Sequence, residues 1–391
     1  MKVLPVLLLL LTLLPKQAEA QTSQADSSRI DVYLLTMLPG EEVYSIYGHS
    51  AIRIVIPERK YDTVFNWGVF DFNTPNFTFK FVKGRLDYLM AGYPYERLVR
   101  DYFIEQRTVI SQKINLNKTE KDKLMALVQE NLKPENVAYR YDFFYDNCAT
   151  RIRDIIENST DNELQFAENK KREKPTLREL LDKYQKPYPW LDLGIDMLLG
   201  MPADKKAGAS EQMFLPDFLM SNLSEATINH DGITEELLGD PEIVIDFNSD
   251  PILSNTFKSP LFVLWALLVV VLTLSLSNIN SKWMRRIDIP IFSFFSLLVL
   301  LINFTTFFTD HSAMKWNFHV IWLSPLVIIS LIHLIIKSKR VIQYRVNMLV
   351  TLVFLPLILV LPQQMNRNII PVILILFVRL FFLSAFGKTK S

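Results

Sequence analysis

A single cysteine, Cys148, is all the thiol this 391-residue chain contains. No disulfide can close within it, and neither a CxxC redox pair nor a thiolate-rich zinc site can be built. Glycine is scarce, at 11 residues, and no G-x-G-x-x-G or Walker string occurs, which removes the usual nucleotide cradles. Charge of one sign is also missing. Lys and Arg number 42 against 41 Asp and Glu, a formal net charge of +1, so no global field draws nucleic acid or another polyanion. Nothing in the composition calls for a metal or an organic cofactor, and none is expected.

Apolar length is what the chain has in quantity. Lys2, an apolar run from Val3 to Leu14 and then Ala18-Glu19-Ala20 form a secretory signal peptide, cleaved after Ala20. Five further apolar stretches come after the charged part of the chain, at about Pro260–Leu276, Ile287–Phe308, Phe318–Ile336, Val346–Leu361 and Ile369–Phe386. Most approach the roughly 20 residues that cross a ~30 Å hydrocarbon layer; the fourth is short. If residues 21–257 are exported, the inner loops carry Lys282, Arg285 and Arg286, then Lys337, Lys339, Arg340 and Arg345, then Lys388 and Lys390. The outer loops hold only Lys315 and Arg367. The positive-inside rule therefore agrees with the signal peptide. Within the last span Arg379 is expected to snorkel to the interface or to meet a lipid headgroup. The outer loop 309–317 places His311 on the side of the exported domain, where it can position a headgroup, with Trp316 as an interfacial anchor.

The expected organisation is a signal peptide over 1–20, an exported domain over 21–257 and a membrane domain over 258–391. In the exported part, Ile30–Thr36 reads as a strand. Alternation of Ile52, Ile54 and Ile56 marks a second that begins near His49, and Thr63–Asp71 returns after a loop at Pro57–Asp62. Phe77–Phe81 and Thr108–Leu116 are further strand candidates, and helices are expected at Tyr95–Phe103 and Lys118–Leu132. Residues 187–223 read either as core helices or as a lid or acyl groove, and 224–257 as a polar connector. His230 falls in a solvated turn.

Export bears on Cys148, since structural cysteines in oxidising compartments come in pairs. An unpaired one is a buried inert thiol, an intermolecular bridge or a reactive thiol. Ile152, Ile155 and Ile156 repeat at helical spacing, and Asp146 or Asn147 is placed to cap. Cys148 then lies in the first turn, where free N–H groups and the helix dipole favour a thiolate. Arg151 and Asp154 are spaced to form an i, i+3 ion pair. A neighbouring imidazole can take and return a proton, and His49 is the candidate.

Tyr47-Gly48-His49-Ser50-Ala51 followed by Tyr145-Asp146-Asn147-Cys148 resembles the circularly permuted papain-like group, which includes NlpC/P60-like hydrolases and lecithin:retinol acyltransferase-like enzymes. With Phe65-Asn66-Trp67-Gly68-Val69-Phe70-Asp71 and five C-terminal spans, nearly the whole mature chain resembles the bacterial Lnb-type lipoprotein N-acyltransferases. The resemblance implies an α+β permuted papain-like (NlpC/P60-like) periplasmic domain followed by an all-α five-helix transmembrane bundle in the inner membrane. It implies Cys148 as nucleophile, His49 as base and a polar residue on the returning strand, Asn66 first and Asp71 second, orienting the imidazole. Ser45, Tyr47 and Tyr145 can line the site or pack around the strands. The implied partners are a phospholipid acyl donor, a diacylated lipoprotein acceptor and the membrane. A membrane-anchored cysteine peptidase acting on cell-wall peptides, and a noncatalytic scaffold, are the rival readings.

Overall fold

The computed structural model describes residues 29–161, 163–166, 174–247, 256–277, 281–338 and 340–386. The signal peptide read at 1–20 lies outside these residues, as do Lys339, Lys388 and Lys390 of the inner loops.

The exported part is built on strands β1 Asp31–Met37, β2 His49–Ile56, β3 Tyr61–Val69, β4 Asp87–Pro94, β5 Val109–Lys113, β6 Ala138–Arg140 and β9 Glu242–Ile245. They form one antiparallel sheet in the order β6-β4-β3-β2-β1-β5-β9. Strands β7 Thr227–His230 and β8 Ile233–Glu236 make a separate hairpin. The helices are α1 Phe77–Val82, α2 Tyr95–Ile104, α3 Lys118–Asn131, α4 Cys148–Ser159, α5 Leu177–Gln185, α6 Pro189–Leu198, α7 Ala209–Gln212 and α8 Pro216–Ser224. Side chains alternate across each strand, and both faces of this sheet are covered. Leu34, Ile52, Ile54 and Trp67 pack beneath Leu124 of α3, Ile152 and Ile156 of α4 and Leu219 of α8. Leu35, Met37, Ala51 and Val64 pack on the other face with Leu98 of α2.

Two expectations fail here. Phe77–Phe81, read as a strand from its alternating phenylalanines, is helical. β3 and β4 pair with each other and β4's other edge is taken by β6, so the segment joining β3 to β4 stays outside the sheet and closes its backbone hydrogen bonds as a helix. The supposed connector at 224–257 contributes the β7–β8 hairpin and the edge strand β9, whose Ile245 sits opposite Val109. The hairpin loop expected at Pro57–Asp62 is present but tighter, a 3-10 turn over Pro57–Arg59 with Lys60 left-handed, so that β3 starts at Tyr61.

The C-terminal part is helical: α9 Pro260–Leu276, α10 Ser281–Phe308, α11 His319–Trp322, α12 Leu326–Ile335, α13 Ile342–Leu357 and α14 Ile369–Phe386. Among the described residues one helix, Trp283–Phe308, is long and apolar enough to cross a membrane alone; four shorter apolar helices accompany it. The stretch read as one span at Phe318–Ile336 breaks into α11 and α12 at Ser324-Pro325, because proline lacks the N–H that continues a helix. Phe292, Phe295, Trp322, Phe354 and Leu376 fill the bundle's centre. Its outer surface exposes Val269, Phe294, Leu297 and Leu300, as expected where the solvent is lipid. Arg379 does not snorkel. Its guanidinium grips both Asp288 oxygens, at 2.6 and 3.0 Å, and both side chains are buried. A bidentate partner one helix away satisfies the charge where it stands.

Several contacts lock the halves together, two of them along α6 and the residues after it. Leu193 and Met197 of α6 join the bundle's apolar centre, so that part of the 187–223 stretch packs as a core helix against the membrane domain. Then Gly200 N donates to Ala313 O at 2.9 Å, and a Cβ on Gly200 would lie 1.8 Å from Lys315 O. Only glycine allows the two backbones this close.

Candidate active site

Cys148 opens α4 because Asn147 stops the chain in an extended conformation and caps the first turn of the helix. Asn147 Oδ1 accepts the N–H of Ala149 at 2.9 Å and of Thr150 at 3.0 Å, while Thr150 Oγ1 accepts from Asn147 N at 2.7 Å. The Asn147 amide then donates to the Phe143 and Phe214 carbonyls at 2.8 and 2.9 Å. Every polar atom of this buried side chain is used, so the start of the helix has one register. Just before it, Asp142 and Asp146 exchange backbone hydrogen bonds at 2.9 and 3.0 Å. Arg151 grips Asp146 in a fork at 2.5 and 2.7 Å, and Arg153 takes Asp154. The expected Arg151–Asp154 pair is thus replaced by one that ties α4 back to its own entry turn.

His49 begins β2. Gly48 precedes it at φ +77°, a left-handed conformation that puts a Cβ 2.8 Å from Met37 O, so the tight entry to the strand requires glycine. Helix α4 packs across β2 and β3, which brings Cys148 to the imidazole from the side. Between them passes a bulge in β3, where the register with β4 shifts from Trp67 to Val69. Gly68 sits in it at φ +95°, and a Cβ there would lie 3.9 Å from His49 Cε1 and 4.0 Å from Cys148 Cβ. Bulges at such places re-aim the strand; this one carries Asn66 on one side of the imidazole and leaves the other open to sulfur.

His49 Nε2 donates to Asn66 Oδ1 at 2.5 Å, leaving Nδ1 for the thiol. The Asn66 amide in turn donates to Tyr93 Oη at 3.3 Å, which holds its carbonyl oxygen toward the imidazole. Asp71, the second choice for this position, is exposed and caps its own turn through Asn73 at 2.9 and 3.0 Å. Burial pushes the Cys148 thiol up, but the charge and hydrogen bond of His49 and the backbone N–H groups of Ser50 and Ala149 bring it, on balance, below the ordinary thiol range. Burial pulls His49 down; the Cys148 sulfur and the Asn66 hydrogen bond more than offset this and raise it. Opposite shifts on adjoining groups favour passage of the thiol proton to the imidazole. Such a pair can attack a carbonyl carbon and protonate a leaving group.

Of the residues singled out by sequence, then, His49, Asn66 and Cys148 meet. The others stand apart. Ser45 is buried and donates to Glu42 O at 2.9 Å, shaping the turn before His49. Tyr47 accepts from Gln185 at 2.8 Å and packs edge-on to Phe143 and Tyr184; burial pushes its phenol up to about 12. Tyr145 is 46% exposed on the turn leading to Cys148. His311 donates to Val82 O at 3.2 Å and rests against Gly84. His230 is held between Glu120 and Glu235, at 2.9 and 2.5 Å, on β7.

Two residues were missed. Tyr93 reaches Asn66 through the β3–β4 register, in which it lies opposite Val64, and nothing local marks it. Ser312, next to His311, hydrogen-bonds the Asp142 carboxylate, whose other oxygen accepts the N–H groups of Phe144 and Tyr145 at 2.9 and 3.0 Å. The outer membrane loop therefore touches the turn that positions the thiol.

Comparison with known families agrees with this layout. The description Lnb N-terminal periplasmic domain matches residues 16–183, and Lnb transmembrane domain matches residues 252–391. No curated protein and no solved structure matches the chain. The sheet domain that carries the Cys148–His49 pair is thus periplasmic, the helical part is its membrane domain, and the chain belongs to the Lnb family.

Proposed function

We propose that this membrane protein is a lipoprotein N-acyltransferase working through a Cys148 thioester. The Cys148 thiolate, stabilised by the Ser50 and Ala149 amides, attacks the ester carbonyl of a phospholipid. As the C–O bond breaks, the His49 imidazolium protonates the departing glycerol oxygen, releasing a lysophospholipid. The α-amino group of a diacylglyceryl-cysteine then attacks the thioester. His49 takes its proton, the amide forms and the thiolate leaves. Asn66 holds the imidazole in the tautomer and orientation both steps need, with Tyr93 holding Asn66.

One observation carries the reading: a thiol lowered by an imidazole and by the Ser50 and Ala149 amides, on a domain docked directly onto an apolar bundle. Water must be kept from a thioester that awaits an amine, and a site at a bilayer surface meets both lipid substrates there. The layout supports a permuted papain-like domain, since the histidine strand precedes the nucleophile helix in the chain and α4 packs on β2 and β3. The bundle is placed in the inner membrane with several crossings and basic loops inward, residues 1–20 acting as signal peptide and the domains meeting near 257–258.

The test uses purified protein, phospholipid and a diacylated lipopeptide. The expected product is the triacylated peptide, with an acyl adduct on Cys148 seen by intact mass. Retained acyl transfer by Cys148→Ala would overturn the mechanism, and release of cell-wall peptide fragments without acylated product would favour the peptidase reading.

A further inference from the structure

Between the Gly68 bulge and β4 the chain leaves the sheet and carries an unusual aromatic surface. Phe72, Phe79 and Phe81 are 74, 63 and 51% exposed. Large contiguous apolar exposure of this kind marks a surface that something else covers. The position of α1 says what covers it. Lys83, just after α1, places its ammonium 5.9 Å from the ring of Phe304, which lies one turn, about 6 Å, short of the outer end of α10 at Phe308. Asp310 N donates to Lys83 O at 2.8 Å, Arg85 grips Asp310 at 2.7 Å, and His311 holds Val82 O. Helix α1 is thereby held level with the outermost turn of α10, whose Phe307 and Phe308 are 61 and 62% exposed. Its exposed aromatic rings stand beside those of the bundle, with Lys83 between Phe79 and Phe304 and Lys80 in the last turn of α1; such long basic side chains suit the headgroup layer.

From α1 the rings lead inward. Phe81 stacks on Phe77 at 6.3 Å, Phe77 lies 5.8 Å from Phe70, Phe70 meets Tyr88 edge-on at 5.5 Å, and Tyr88 stacks on Tyr141 at 4.4 Å. Tyr141 packs against the same apolar core as Cys148 and is close enough for its hydroxyl to feel charge on that sulfur.

We propose that α1 lies within the outer leaflet, with Phe72, Phe79 and Phe81 among lipid chains, and that the ring ladder from Phe81 to Tyr141 is the track along which a phospholipid acyl chain reaches Cys148. The first half stands on geometry alone; the second rests on the acyltransferase reading. Both are tested in full-length protein in vesicles of phosphatidylethanolamine and phosphatidylglycerol.

For the first half, Phe79→Cys and, separately, Phe72→Cys are made in the Cys148→Ala background, which leaves one thiol for a bimane label and needs no catalysis. Ile233→Cys, exposed on β8, is the aqueous reference. Label at 79 and 72 should be quenched by phospholipid brominated on its acyl chains and shielded from iodide, with the reverse at 233. Iodide quenching at 79 and 72 equal to that at 233 overturns the insertion. For the second half, Phe70→Ser in the otherwise native chain should raise the KM for vesicle phospholipid about tenfold, with acyl loading from a water-soluble short-chain ester unchanged. Equal loss with both donors, or no change with either, overturns the track. Absence of acyl loading by the native protein would instead strike at the acyltransferase reading, and the quenching result would stand.

Discussion

The two halves of this protein are built inside out relative to one another. In the sheet domain the apolar residues lie between layers, and the chemically active groups sit half-buried at the edge where β2, β3 and α4 meet. In the bundle the exterior is apolar, and it is the interior that shelters polar groups: the Asp288–Arg379 pair, Asn347, Thr351 and Gln363. Water as solvent lets a polar group satisfy itself at the surface, whereas lipid forces it inward onto a partner. The difference shows at the junction, where Asn317 donates to Met197 O and Leu198 O at 2.8 and 3.1 Å and Gln363 donates to Leu199 O at 2.9 Å. Side-chain amides of the membrane half there satisfy the orphan carbonyls at the end of α6 in the other half.

Substitutions can break this contrast on either side. The largest effect is expected at the site in the sheet domain, where His49→Ala should lower acyl transfer about 10³- to 10⁴-fold with no comparable loss of stability, read as kcat/KM beside a thermal melt. In the lipid-facing half the effect moves from rate to stability. Arg379→Leu leaves the Asp288 carboxylate buried without a partner and should cost about 3–5 kcal/mol in detergent unfolding. The double variant Arg379→Leu with Asp288→Leu should recover most of that; a double variant as unstable as the single would show that the pair is not the cause.

Asn66→Ala sharpens the comparison by acting through another residue. It should lower kcat/KM about 10- to 100-fold and change the pH profile. Under the proposed mechanism the native rate follows the population that holds thiolate and imidazolium together. It rises as pH climbs through the lowered thiol pKa and falls as pH passes the raised imidazole pKa. Losing the Asn66 hydrogen bond removes one contribution that raises His49, so the falling limb should move to lower pH. An unshifted limb would assign Asn66 a packing role only. Smallest is Ser312→Ala, which cuts the link from membrane loop to nucleophile turn and should cost about 0.5–1.5 kcal/mol; measured as a melt and a rate, it shows whether the bundle merely anchors the domain or helps to hold Asp142.

Much of the site was readable along the chain because its parts are local. A capping residue followed by Ile152, Ile155 and Ile156 at helical spacing identifies the start of α4 without any neighbour, and alternation identifies β2. Asn66 was reachable for the same reason, being on the strand that returns from β2. Tyr93 was not, since it meets Asn66 through the pairing of β3 with β4, 27 positions on. Arg151 illustrates another limit. Helical spacing offers Asp154, but the Asp142–Asp146 exchange turns Asp146 into line with both guanidinium nitrogens, and the bidentate partner wins. For α1, the sequence suggested a strand, and the direct pairing of β3 with β4 left the segment between them outside the sheet.

By itself the sequence determined that a lone thiol begins a helix, that a histidine begins a strand, and that an apolar helical part comes after them, because periodicity and capping act over a few residues. Tertiary structure decided that thiol, imidazole and amide meet, that Arg379 finds Asp288 rather than the interface, and that α6 and the outer loop seat one half on the other. Those outcomes depend on which distant surfaces can pair without leaving a polar group unsatisfied, and no short stretch of chain contains that information.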